Sequence, residues 1–448
     1  MRYVRAMLRI VTRYSLQRRL AAVLATVALL WLLPDPLGVY AGSVALGAVL
    51  IGLSVDFLML PARASVVVER EFPRSVGIGD QATGAYIISN RGARSLIVEL
   101  FDRFPTLVSG GVYHFELRMA PDSQQRVEVA ATGMTRGVAP LGVAAIRIRT
   151  GLGLIAASYT FNFDEDIRVI PSMTGVRRFR LLAMQHRLNT VGVRVLRRKG
   201  GGQAFANLRE YVRGDDPRVI DWKATSKKDK LITREFTIER SQTVITLVDA
   251  GRGMTQMSGN YPRFEHALSA ALILTDIASN SGDRVGTLVF DDEVRAYVPP
   301  QSSRGALQLV RDAFIPVVAT TREPDYASAF RFLAAHQGKR ALIVFFTDVI
   351  DTRASQALLA HVTRSAARHL VLVVALRNDA LYEAARVPTD GTAALLYQST
   401  AAEEVIQARD EVLHRMRRAG VIVLDVSPRT MTASVVNQYL ELKNRGAL

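Results

Sequence analysis

The sequence predicts an α/β protein built from an N-terminal membrane hairpin, a β-sandwich-like unit and a doubly wound sheet covered by helices. Three observations carry that expectation. Two uncharged apolar runs stand close together near the start. Short alternating runs separated by turn residues fill the next hundred positions. Over the last two hundred, continuous apolar strands alternate with helical periods. The parts so defined are a basic segment 1–19, a hairpin 20–60, a β unit 64–171, a basic segment 172–240 and an α/β unit 241–448.

Composition narrows the classes further. Of 448 residues, 49% are apolar and 22% charged, which excludes a disordered chain and leaves room for two or three cores. With no cysteine, disulfides, thiolate metal sites, iron–sulfur clusters and Cys nucleophiles are all excluded. The formal charge of +16 is concentrated. Arg2, Arg5, Arg9, Arg13, Arg18 and Arg19 precede the first apolar run with no acid among them, and residues 174–240 hold 17 Lys and Arg against 7 acids. These two stretches carry the whole surplus, which suits an anionic lipid, a nucleic acid or an acidic partner.

The hairpin rests on length. Leu20–Leu33 is uncharged, the turn Pro34-Asp35-Pro36 breaks it, and Leu37–Val55 gives 19 uncharged residues before Asp56. The second run is long enough for a hydrocarbon core of about 30 Å, whereas the first spans only if Arg18 and Arg19 snorkel. A cleaved signal peptide would need a small-x-small site after the first run, and none is clear. The positive-inside rule sets the arginine-rich start in the cytoplasm, and two spans return the chain there.

In the β unit, strands are expected at 65–70, 82–89, 96–101, 112–118, 125–130, 144–149 and 167–170, with turns at Asn90-Arg91-Gly92 and Ser109-Gly110-Gly111. Nothing there has catalytic chemistry, and His114 reads as an ordinary strand residue. In the α/β unit, strands are expected at 243–248, 284–290, 294–298, 341–346, 370–376 and 421–426. Helices are expected near 263–279, 303–314, 325–336, 353–367, 401–418 and 430–442. Such apolar strands form a largely parallel sheet buried on both faces. Ligands bind at the carboxyl ends of its strands, where Asp249 and Asp348 fall.

Between the units, Gly200–Arg240 interleaves both signs of charge with Phe205, Tyr211, Trp222 and Phe236, too many aromatics for a solvated linker. It contains Leu208-Arg209-Glu210-Tyr211, Gly214-Asp215-Asp216, Arg218 and Ile220-Asp221-Trp222, followed by Arg234-Glu235-Phe236. This ordered run resembles the signature of the bacterial membrane-associated family called domain of unknown function 58 (DUF 58), and the order of parts fits that family over nearly the whole chain. The resemblance implies a von Willebrand factor A-like domain behind a β-rich segment. It also implies a bacterial inner-membrane location with cytoplasmic soluble domains, a MoxR-type AAA+ ATPase as partner, and a role in assembly or maturation of client proteins. It implies no enzymatic activity.

The same resemblance frames the metal question. A typical A domain holds Mg²⁺ with an Asp-x-Ser-x-Ser loop, a Thr from a second loop and a further Asp. Here the first loop is Asp249-Ala250-Gly251-Arg252-Gly253, with glycine at both serine positions, and Pro324 of Arg322-Glu323-Pro324-Asp325 stands in place of the Thr. We therefore expect no cofactor. Asp249, Gly251, Gly253, Asp325 and Asp348 then form a degenerate metal site serving as partner-binding loops, with Arg252 as the neutralising charge. Gly200-Gly201-Gly202 lacks a phosphate-loop ending, and the seven histidines, His361 and His369 included, show no metal spacing. Two alternatives remain at this level. One is a hydrolase using Asp215, Asp216 and Asp221, which read more simply as an ion-pair scaffold with nearby arginines. The other is a basic nucleic-acid or anionic-lipid binder, although the basic stretch carries no nucleic-acid motif.

Overall fold

In the computed structural model, residues 13–34, 36–173, 204–212, 217, 220–228, 230–237, 242–302, 305–349, 352–386 and 393–447 are described. They fall into two compact units, Met1–Ser172 and Met173–Leu448.

The first unit opens with strand β1 (Tyr14–Leu16) and two helices, α1 (Arg18–Leu30) and α2 (Leu37–Met59). At about 1.5 Å per residue, α1 is about 20 Å long and α2 about 34 Å. Only α2, of 23 residues, is long and apolar enough to cross a membrane among the described residues. The expected first span is thus a shorter helix, because Trp31 and the Pro34–Pro36 turn end it early. The turn is tight: Trp31 lies against Gly42, where a Cβ would overlap the indole ring.

Ten strands follow: β2 (Val66–Glu71), β3 (Ser75–Gly77), β4 (Gln81–Asn90), β5 (Leu96–Arg103), β6 (Val112–Met119), β7 (Ser123–Thr132), β8 (Gly137–Pro140), β9 (Val143–Arg149), β10 (Ile155–Asn162) and β11 (Asp166–Ile170). A five-stranded sheet in the order β1-β10-β9-β5-β6 faces a three-stranded sheet β2-β4-β7, with a small sheet β3-β11-β8 beside them. Inward side chains of both larger sheets, among them Val66, Tyr86, Ile88, Val98, Leu100, Ile146 and Ile148, share one core. All seven expected strands are present. Sequence reading missed β10, whose Ile155-Ala156-Ala157 start is buried without alternation and is poor in β-formers. It also missed the short β3 and β8, and β1, which pairs antiparallel with β10 through Tyr14↔Ala157.

The second unit begins with a hairpin, β12 (Ala204–Glu210) and β13 (Ile232–Thr237), with the short helix α3 (Trp222–Lys228) between them. The main sheet holds β14 (Thr243–Asp249), β15 (Arg284–Phe290), β16 (Val294–Gln301), β17 (Leu342–Thr347), β18 (Leu370–Leu376) and β19 (Ile422–Val426). Their order is β16-β15-β14-β17-β18-β19, parallel except that β16 is antiparallel to β15. Helices α4 (Arg263–Asn280), α5 (Ala306–Phe314), α6 (Tyr326–His336), α7 (Thr352–Ala366), α8 (Asp379–Ala384), α9 (Ala393–Arg418) and α10 (Pro428–Asn444) complete the unit. Val244 and Val248 of β14 join the core under α4, α5 and α10, while Ile245 and Leu247 join the opposite core under α6, α7 and α9. The chain winds from β14 to β15 on one side and from β17 to β19 on the other. The direction therefore switches between β14 and β17, and that is where Asp249 and Asp348 lie.

Candidate functional site

The carboxyl edge of the main sheet gathers acids because four of its parallel strands end in or run into aspartate. Asp249 closes β14, Asp291 follows β15, Asp348 follows β17, and Asp425 lies near the end of β19. Each has an internal partner. Asp249 Oδ1 accepts the Gly251 amide at 2.7 Å, and Oδ2 accepts the hydroxyls of Thr347 at 2.8 Å and Tyr326 at 3.3 Å. Asp291 is held by Arg295 at 2.8 Å and by the Thr320 hydroxyl at 3.0 Å. Asp425 is held by Arg409 at 2.8 Å and Arg377 at 2.9 Å.

Asp348 pairs with Arg263, the first residue of α4, and both side chains are almost fully buried. This corrects one expectation. Arg252, the neighbour in sequence, turns away to Glu323 at 2.8 Å, and Arg263 supplies the charge instead. Burial pushes the Asp249 carboxyl up to about 6, against the pull of the Gly251 amide and the Thr347 and Tyr326 hydroxyls. Burial also raises Asp348 to about 6, with Arg263 and then Arg409 opposing it.

The loops above are set by close approach. A Cβ on Gly251 would lie 2.9 Å from Pro324 Cδ and 3.0 Å from the Arg322 carbonyl, so a side chain at 251 does not fit without movement. A Cβ on Gly253 would lie 3.1 Å from that of Asp348. Asp325 caps α6, accepting the Ser328 amide at 3.0 Å, and is solvent-exposed. The donor set does not suit Mg²⁺. Both Asp249 oxygens are engaged, a guanidinium stands on Asp348, and no serine hydroxyl can enter at 251. Among the described residues, no group of three His, Cys, Asp or Glu is placed to hold a metal. Chemically the edge offers sealed acids beneath an exposed rim of mixed charge, Arg252–Glu323 and Arg322–Asp292, with no free nucleophile–base pair at the site described.

The signature segment is divided. Arg209 lies on β12, Glu210 pairs with Lys230 at 2.9 Å, and the Tyr211 amide donates to the Leu231 carbonyl at 2.8 Å. Asp221 Oδ1 accepts the Ala224 amide at 3.0 Å at the start of α3, and Trp222 opens that helix with its ring exposed. Gly214, Asp215, Asp216 and Arg218 lie outside the described residues. Sequence reading missed Arg263, Tyr326, Thr347 and Arg409. Only Thr347, next to Asp348, left a local signal.

An uncharacterised protein of Mycobacterium tuberculosis, Rv1480, is 25% identical over 177 residues, which is 39% of this chain and 55% of that protein. The uncharacterised protein YeaD of Bacillus subtilis is 30% identical over 107 residues, 23% of this chain and 26% of its own. The match thus spans about half the length of the mycobacterial relative. Among solved structures, proximal thread matrix protein 1 of the mussel byssus covers 46% of this chain and 47% of its own at 10% identity, with a TM-score of 0.28. Over residues 207–424, from the first signature strand to the last strand of the sheet, the chain matches the family described as protein of unknown function DUF58.

Proposed function

We propose that this chain is a membrane-anchored, non-catalytic docking scaffold. Its α/β unit is read as von Willebrand factor A-like, and its carboxyl-edge loops as the face for a MoxR-type AAA+ ATPase acting in assembly or maturation of client proteins. The apolar hairpin anchors it in the bacterial inner membrane with both folded units in the cytoplasm. One observation carries this reading: the acids where a parallel sheet normally binds its ligand are closed off by Arg263, Thr347 and Tyr326, while charged side chains stand exposed around them. A catalytic or metal centre needs those carboxylates free. A docking face needs only the rim. At Asp221 a helix-capping role accounts for the carboxylate without a reaction.

The test is to purify the tagged full chain from its own cells with ATP present and gentle crosslinking. A MoxR-type ATPase is expected to co-purify, and the double charge reversal Arg252→Glu, Glu323→Arg is expected to reduce its recovery at least fivefold, in line with losing charge complementarity at an interface. Absence of any ATPase, or recovery indifferent to the rim, overturns the assignment.

A further inference from the structure

At the opposite end of the same sheet, helices α6 and α7 part to leave a cleft of about 570 Å³. That volume lies within the range of small-molecule sites, about 300–1,000 Å³. Its floor is apolar, formed by Phe330 and Leu333 of α6, both buried. The His361 imidazole lies nearly parallel to the Phe330 ring, with centroids 6.1 Å apart and planes 11° apart, so aromatic rings from both helices line the cleft. Around the mouth stand Arg331 from α6, Arg364 from α7 and Arg368 from the turn into β18, and among the described residues no acidic side chain lines the cleft.

One feature separates this cleft from an ordinary gap between helices. None of the three guanidinium groups makes an ion pair or hydrogen bond to a described residue, whereas the arginines of the carboxyl edge (Arg263, Arg295, Arg377 and Arg409) are all paired.

We propose that the α6–α7 cleft is a binding site for a small amphiphilic anion, with a planar apolar body and a phosphate or carboxylate head. The body lies on Phe330 and His361. The head meets the guanidinium groups of Arg364 and Arg368, whose planar forks match phosphate and carboxylate oxygens. Because the cleft opens at the amino ends of the strands, away from Asp249 and Asp348, this site does not depend on the docking reading.

The probe is 1-naphthyl phosphate, titrated calorimetrically into the full chain in lipid nanodiscs, with empty nanodiscs subtracted. Naphthol and inorganic phosphate serve as half-ligands. Saturable 1:1 binding is expected, with each half-ligand at least tenfold weaker and with α6 and α7 amides exchanging more slowly when the site is filled. Arg364→Gln and Arg368→Gln are each expected to weaken binding about tenfold or more, as loss of a charge-assisted contact does. Unchanged exchange in β17 would show that the fold of these variants is intact. Binding that ignores both substitutions, binding matched by inorganic phosphate alone, or no saturable binding overturns the proposal.

Discussion

Asp249 is buried among neutral donors, and Asp291, the charged group that acts on it, is itself an acid. Its carboxyl titrates near about 6, above the about 3.9 of an aspartate in an unfolded chain. Between about pH 4 and 6 the folded chain therefore holds more protons than the unfolded one, so stability falls as pH rises through that window and is flat above it. Asp348, raised the same way, adds to the slope. Asp249→Asn, which cannot titrate but keeps an acceptor for the Gly251 amide, is expected to flatten the profile. Amide exchange of β14 in the full chain, corrected for intrinsic rates, should show wild-type protection falling from about pH 4.5 to just above about 6 by about tenfold or more for each of the two carboxyls, within the limit of about a hundredfold per group set by two pKa units. The variant should lose about half of that fall on a logarithmic scale. An undiminished slope would assign the titration elsewhere. At this scale the sequence showed the acids and not what closes them. Asp249 and Asp348 follow apolar strands and are recognisable by position. Arg263 reads only as the first residue of a helix, and no local pattern says that its side chain turns inward to Asp348 rather than out to water.

At the scale of elements, the informative residue is one that interrupts a hydrophobic run. Asp56 sits in the last turns of α2, fully buried, and its Oδ2 accepts the backbone amides of Leu154 at 2.7 Å and Ile155 at 2.8 Å, while Oδ1 accepts the Thr150 hydroxyl. The carboxylate thus ties the end of the apolar helix to the start of β10. Asp56→Ala would leave two amides without an acceptor in a buried position, at a cost of about 1–3 kcal/mol each. We expect at least tenfold faster amide exchange at Leu154 and Ile155, with β5 and β6 unaffected, and new protease cleavage near 151–154. Exchange unchanged at those two amides would mean that the tie does not hold β10. Element existence was largely legible because buried strands and amphipathic helices have clear periods. Element extent was less so: α9 begins at Ala393, eight residues before the expected start, because its first five residues, Ala393-Ala394-Leu395-Leu396-Tyr397, are an exposed apolar run with no helical period to read. Strand β1 was invisible for a different reason. Three residues have no period, and only the partner β10 makes them a strand.

For the molecule as a whole, β1 decides how the hairpin must run. The residues just before α1 pair with β10, and α2 ends at Asp56, bonded to the first residues of that same strand. Both ends of the hairpin are therefore fixed to one face of the β unit, and whatever side of a bilayer that unit occupies, the Pro34–Pro36 turn is the point farthest along the chain from it. Helix α2 is long enough to carry that turn across, and α1 needs Trp31–Pro34 to make up its missing length. The absence of natural cysteine makes the topology directly measurable with single introduced thiols. Leu32→Cys, in the exposed turn, and Gln124→Cys, on the exposed face of β7, are expected to react from opposite sides. In intact cells an impermeant maleimide should label position 32 and spare position 124, and inverted membrane vesicles should reverse the pattern. Labelling of both from the same side would show that the hairpin only dips into the membrane. Such a result would leave the Asp56 tie intact and remove the reason for placing both units in the cytoplasm on the strength of two crossings.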